Sequence, residues 1–255
     1  MTTHEFARWV DHFEAEAARR SATADPDWSA GAHLPDPVWA SLQKFQVGED
    51  GDGANLIGKA DLAGDPHYAR AARLFVAEEQ NHARLLARLL AAGGRATLDG
   101  HWSDRVFVLV RRLLGMRTEL LVLMIAELVA VPYYRAVRDG AGDPLASRVA
   151  GLIMADEQRH IPFHCDRLAD SLAELGPTAR KVTVAGWRVL LLAAALFVAV
   201  DHGPALRALR AGRLRFMRDV FRMSGPVAAE ILGGAEQVAA GWSGKGREQR
   251  VARVV

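Results

Sequence analysis

Two stretches of this chain carry residues suited to metal chemistry, and they nearly repeat one another. Ala77-Glu78-Glu79-Gln80-Asn81-His82 and Ala155-Asp156-Glu157-Gln158-Arg159-His160 each contain Glu-x-x-His, the second 78 residues after the first. Residues three apart share one face of a helix, so each motif presents a carboxylate and an imidazole to the same point. Two such motifs facing each other, with one more glutamate from each of two further helices, make a carboxylate-bridged pair of metal sites.

The repeat is longer than the motif. Residues 65–82 and 143–160 align without gaps with nine identities in 18 positions, among them Asp65/Asp143, Pro66/Pro144, Arg70/Arg148 and Ala77/Ala155. A lone Glu-x-x-His is common; two inside a half-identical window point to a duplicated helix pair. The same offset pairs Glu49 with Glu127, each 30 residues before its motif glutamate. That distance is room for a helix end, a turn and an antiparallel return. Glu127 interrupts the apolar run from Leu120 to Val131, where a carboxylate is costly unless it is paired or holds a metal. Glu49 lies in Gly48-Glu49-Asp50-Gly51-Asp52-Gly53, glycine-rich for a helix interior, so Asp50 and Asp52 stay open as substitutes. As a calcium loop this segment fails, because the glycine position is Asn55 and the bidentate-glutamate position is Asp61.

The candidate ligands are therefore Glu49, Glu79, His82, Glu127, Glu157 and His160. Four carboxylates and two imidazoles suit iron or manganese, with a mixed Fe/Mn pair open, whereas a structural zinc favours thiolates. The chain has one cysteine, Cys165, read as a small buried apolar residue. Glu79 and Glu157 would bridge the two ions. A ligand histidine usually gives its other N–H to a carboxylate, and Glu78 and Asp156 occupy equivalent places. We expect Asp156 to support His82 and Glu78 to support His160, with Arg159 pairing one of the acids. His164, one turn beyond His160, is expected close behind the ligands or in the core, with a role as a further ligand left open. Tyr133 and Tyr134 are read first as aromatic packing, and Met116, Met124 and Met154 as core filling.

Helices must position these groups. Asp65-Pro66 and Asp143-Pro144 read as an N-cap followed by proline at the first helical position, and Gly93-Gly94, Gly140 and Gly176-Pro177 as helix ends. Apolar residues recur at three and four, with no sustained strand alternation. Long helices are expected at about 36–60, 66–92, 103–139 and 144–175, with kinks at Pro132 and Pro162. Ser103-Asp104 is a further cap. A short helix near 3–20, a loop over 21–35, helices near 178–201, 204–223 and 226–240, and a disordered tail after Trp242 complete the outline. The fold class is all-α: a four-helix bundle with additional N- and C-terminal helices, one domain over 1–255, its core about 36–176 and a helical extension about 177–242.

The 255 residues are half hydrophobic and 24% charged, with a net charge of +2, ordinary for a soluble globular protein. Nothing global calls for nucleic acid; arginines thicken late in the chain, and a solvated helix face is the expected reason. The N-terminus does not read as a signal peptide, and a single cysteine fits a reducing cytosol, so the expected location is cytoplasmic. Val182–Val200 approaches the length of a membrane span, but Arg188 lies within it. A helix buried against the bundle is the expectation, membrane association is not favoured, and interfacial attachment stays open.

The doubled Asp/Glu-Glu-x-Arg/Asn-His pattern resembles the non-heme di-iron carboxylate proteins of the ferritin-like superfamily, and in its second half the desaturase-like members. Asn81 stands where that pattern has arginine. The resemblance covers about residues 45–165. It implies a ferritin-like four-helix bundle holding two iron ions that activate O₂ as co-substrate. The expected activity is that of an oxygenase or oxidase acting on a small, apolar organic substrate. Gly-x-Gly-x-x-Gly and Walker sequences are missing, so electrons would come from an external ferredoxin or reductase. A homodimer is open. Competing readings are a ferroxidase or peroxide-handling protein, and a tRNA or quinone hydroxylase of the same superfamily.

Overall fold

The computed structural model describes residues 5–100 and 115–239. Among these residues the structure is all-helical, with no strand. The helices are α1 (Glu5–Ala22), α2 (Asp36–Glu49), α3 (Ala54–Leu62), α4 (Pro66–Ala92), α5 (Met116–Gly140), α6 (Pro144–Ala173), α7 (Pro177–Asp201), α8 (Gly203–Ala208) and α9 (Arg213–Ala239). A single 3₁₀ turn, Trp28–Ala30, lies between α1 and α2.

The two duplicated caps act alike. Asp65 Oδ1 accepts from the backbone N–H groups of His67 (2.9 Å) and Tyr68 (3.0 Å), and Asp143 Oδ1 accepts from Ala146 (2.8 Å). Both satisfy donors that the first helical turn leaves without partners. Glu79 follows Asp65 by 14 residues and Glu157 follows Asp143 by the same 14. At about 1.5 Å per residue, both motifs therefore stand at one height along their helices. Asp143 also ties the approach to α2 in place, its Oδ2 accepting from the backbone N–H of His33 at 2.8 Å.

Helix α6 lies at the centre, packed against α4, α5 and α9, while α1 and α2 pack on α4. Its buried face includes Leu145, Val149, Ile153, Ile161 and Leu168, and α4 offers Leu86, Leu89 and Leu90 to the same continuous core. Each such side chain contributes about 1.5–3 kcal/mol on burial. Arg180 caps the C-terminal end of α6, its Nε donating to the carbonyls of Leu172 (3.0 Å) and Leu175 (2.8 Å) and its Nη2 to Ala173 (2.8 Å). Carbonyls at a helix end lack their ordinary i+4 donor, and a cation suits the negative end of the helix dipole.

The structure departs from the expected outline in three places. The helix expected over 36–60 is two, because the chain turns at Asp50–Gly53, where Gly53 takes φ +63. Pro132 and Pro162 lie inside α5 and α6 as expected, whereas α9 continues through Pro226 where two helices were expected. Helix α7 is buried on one face only: Val184, Trp187, Leu191, Ala195 and Ala199 face inward, with Trp187 Nε1 donating to the Leu121 carbonyl at 2.9 Å, and the opposite face is open. Residues 103–114 of the expected third helix, its cap at Ser103-Asp104 and the tail after Trp242 lie outside the described residues.

Candidate metal centre

Four helices bring the six predicted ligands to one point. Glu49 comes from the last residue of α2, Glu79 and His82 from α4, Glu127 from α5, and Glu157 and His160 from α6. They form two overlapping sets, Glu49–Glu79–His82–Glu157 and Glu79–Glu127–Glu157–His160, the ligand atoms of each within 4.8 Å of one another. Glu79 and Glu157 belong to both sets. Asp50 and Asp52 are exposed and stay outside, Asp52 accepting instead from the backbone N–H of Ala54 at the start of α3.

The imidazoles face each other across the sets with ring centroids 5.7 Å apart. His82 Nδ1 lies 3.4 Å from Glu157 Oε1 and 3.6 Å from Glu79 Oε1. His160 Nδ1 lies 3.1 Å from Glu79 Oε1 and 3.4 Å from Glu127 Oε2. Two atoms each about 2.1 Å from one ion, at tetrahedral to octahedral angles, sit about 3.0–3.4 Å apart. Three of these four spacings fall in that range, the fourth is slightly longer, and His82 Nδ1 lies 4.0 Å from Glu49 Oε2, an arrangement that fits donors able to close on a shared cation. Four of these atoms, His82 Nδ1, His160 Nδ1, Glu79 Oε1 and Glu127 Oε2, are among the buried polar atoms with no hydrogen-bond partner. Buried polar atoms are rarely left so. The donor set fits two metal ions.

The far side of each imidazole is occupied. His82 Nε2–H donates to Asp156 Oδ2 at 3.1 Å, and His160 Nε2–H donates to Glu78 Oε2 at 2.9 Å. Each acid thus supports the histidine of the other motif, and the unprotonated Nδ1 lone pair of a neutral ring then points at the centre. The supporting acids are anchored in turn: Arg159 bonds Asp156, and Arg20 of α1 bonds Glu78. Arg159 also meets Glu16 of α1 at 3.1 Å.

Crowded carboxylates in a buried site resist ionisation. Burial pushes Glu49 and Glu157 above the usual carboxylate range, Glu49 further because Glu157 and Glu79 are near and Glu157 because Glu127 is near. Burial alone would strip the protons from His82 and His160. The carboxylates outweigh it, Asp156 and Glu157 for His82 and chiefly Glu127 for His160, so both imidazoles titrate well above their ordinary value. A cation bound there would replace those protons.

His164 is fully buried behind the second set, its Nε2 3.4 Å from Glu127 Oε1 and neither ring nitrogen hydrogen-bonded. Burial, then the neighbouring His160, pushes it down to about 3, so it is neutral at working pH. Phe75 lays ring edges against both His160 and His164, at 4.7 and 4.8 Å between centroids, giving the site an apolar wall.

Tyr134 does more than pack. Its hydroxyl donates to Glu49 Oε1 at 2.7 Å, fixing a candidate ligand that sits at a helix end. Tyr133 stacks on Phe45, with centroids 3.7 Å apart, and shares Ser41 Oγ (2.6 Å) with His202 Nδ1 (2.7 Å). Sequence reasoning also missed the α1 contribution of Arg20 and Glu16. Both are ordinary surface-type residues in the sequence, and only their position on a helix packed against α4 makes them partners of the site. No family model, curated protein or solved structure matches this chain.

Proposed function

We propose that this protein is an O₂-dependent non-heme di-iron oxidoreductase, built on a ferritin-like four-helix bundle, that oxidises a small, apolar organic substrate. The observation that carries the reading is the sharing of Glu79 and Glu157 by two ligand sets whose imidazoles point inward and are backed from opposite motifs. In this reading Glu49 and His82 would hold one iron and Glu127 and His160 the other, with Glu79 and Glu157 shared by both sets; the same donors would also suit a mixed Fe/Mn pair. The metal pair supplies O₂ activation and redox equivalents when bound.

The chain's own residues do the rest. Asp156 and Glu78 hold the two imidazoles in the ligating tautomer. Tyr134 keeps Glu49 oriented through Oε1 while leaving its second oxygen available to a metal. Phe75 and its aromatic neighbours pack against His160 and make that side of the site apolar. Electrons come from a ferredoxin or reductase, and the proposed location is cytoplasmic.

The test is to load purified protein anaerobically with Fe(II), desalt it and count irons. The reading expects two per chain, one for each ligand set, lost in the Glu79→Ala/Glu157→Ala variant. Protein that keeps its helical fold but retains no iron overturns it. Repeated Fe(II) oxidation with release of ferric product and no organic turnover would assign the site to iron handling instead.

A further inference from the structure

The chain has two described helices long and apolar enough to cross a membrane, α5 and α7, and they are used in opposite ways. Of the most apolar stretch of α5, 83% is buried inside the protein; of α7, only 28%. The exposed side of α7 carries Val182, Val189, Leu190, Leu192, Leu196 and Val200, which recur at helical spacing along a rod of about 37 Å. Leu214 and Phe221 of α9, seven residues apart and also exposed, extend the same apolar character onto the neighbouring helix. The charged residue within this stretch is Arg188. Its Nε donates to Ser224 Oγ at 3.2 Å and its guanidinium lies over the Phe221 ring at 4.8 Å, so it lies along the α9 surface.

The surrounding charge is one-sided. From residue 175 to residue 229 the chain has nine lysines and arginines but only two acids, Asp201 and Asp219, although the whole chain is nearly neutral. Asp201 pairs with Lys44 at 2.7 Å, and Asp219 lies 3.8 Å from both Arg215 and Arg218. Arg215, Arg218 and Arg222 are exposed on α9, with Lys181 at one end of α7 and Arg207 and Arg210 beyond the other. An apolar stripe rimmed by cations is the pattern of a surface that lies in the headgroup region of an anionic bilayer. A second copy of the chain seated on the same stripe would bring two arginine rims together, and like charges oppose that contact. The inner face of α7 is packed on α5 and α9, so only its outer face is offered to lipid.

We propose that the outward face of α7, with the adjoining start of α9, docks this protein onto anionic lipid membranes. The inference goes beyond the metal reading and does not depend on it. The experiment is co-sedimentation of the full chain with vesicles of phosphatidylcholine alone and of phosphatidylcholine mixed with phosphatidylglycerol, at low and high salt. The wild type should partition onto the anionic vesicles, at least tenfold more weakly onto the zwitterionic ones, and be displaced by salt. Leu190→Glu/Leu196→Glu replaces side chains that are 61% and 51% exposed, so its helical circular dichroism should match the wild type while vesicle binding falls at least tenfold. Arg215→Gln/Arg218→Gln/Arg222→Gln should lose the anionic preference. Absence of wild-type binding to anionic vesicles, or undiminished binding by the leucine variant, overturns the proposal. A wild-type dimer in light scattering that the leucine variant converts to monomer also overturns it, assigning the stripe to a second copy.

Discussion

Replacing Asp156 with asparagine tests whether the site is organised by its supporting acids. Asp156 is buried, accepts from His82 Nε2–H with one oxygen and from Arg159 with the other. Asparagine has a single acceptor oxygen, and Arg159, which can only donate, claims it. The amide NH₂ then faces His82, which must accept at Nε2 and carry its proton on Nδ1, the atom that should ligate. Losing such a supporting group typically costs 10–100-fold in metal affinity, or about 1.4–2.7 kcal/mol. The loss should fall on the ion held by His82 and Glu49. Glu78→Gln should weaken the other ion, held by His160 and Glu127, by a similar factor. Anaerobic calorimetric titration with Fe(II), and with Co(II) as a spectroscopic probe, separates the two events. Adding Arg159→Leu to Asp156→Asn frees the amide to present its oxygen to His82 and should restore part of the affinity. Two metal equivalents bound by Asp156→Asn with wild-type affinity would refute the reasoning.

Other predictions follow from the same geometry. His82, His160, Glu49 and Glu157 all titrate above their ordinary values, so the folded metal-free protein binds more protons than the unfolded chain; the imidazole contribution is complete below about pH 6.5 and is lost as pH rises through the elevated values. Thermal scans should therefore show the metal-free protein losing stability above that pH, while metal affinity climbs over the same range because fewer protons must be expelled. Glu157→Gln removes a carboxylate whose ionisation burial and Glu127 oppose, so chemical denaturation should find the metal-free variant about 1 kcal/mol more stable near neutral pH although its metal content collapses. Tyr134→Phe deletes the hydrogen bond to Glu49 and should lower affinity for the Glu49–His82 ion about five- to tenfold, the equivalent of about 1 kcal/mol, with the other ion unchanged in the same titration. Gly53→Ala places a Cβ against Val76 at a residue with φ +63; urea unfolding should show a loss of at least about 1–2 kcal/mol, together with weaker metal binding through displaced Glu49.

The motif residues were legible because their information is local. Helical periodicity puts Glu79 with His82 and Glu157 with His160, and matched Asp-Pro caps set both pairs at one height before any tertiary contact is considered. The 78-residue offset then reached Glu127 and Glu49 because a duplicated helix pair repeats its geometry. It also identified the crossed support of each imidazole, since equivalent acids on facing helices reach across rather than along. What only the tertiary structure decided depends on packing between distant segments. Glu49 rather than Asp50 or Asp52 enters the cluster because α2 ends there and the chain turns away at Gly53. Tyr134 becomes a partner of Glu49, and Arg20 of Glu78, through contacts 85 and 58 residues apart in sequence. Composition could not separate α5 from α7, since both are long and apolar. One is enclosed by neighbours and the other is left open on one face, because burial is a property of what packs around a helix and not of the helix alone.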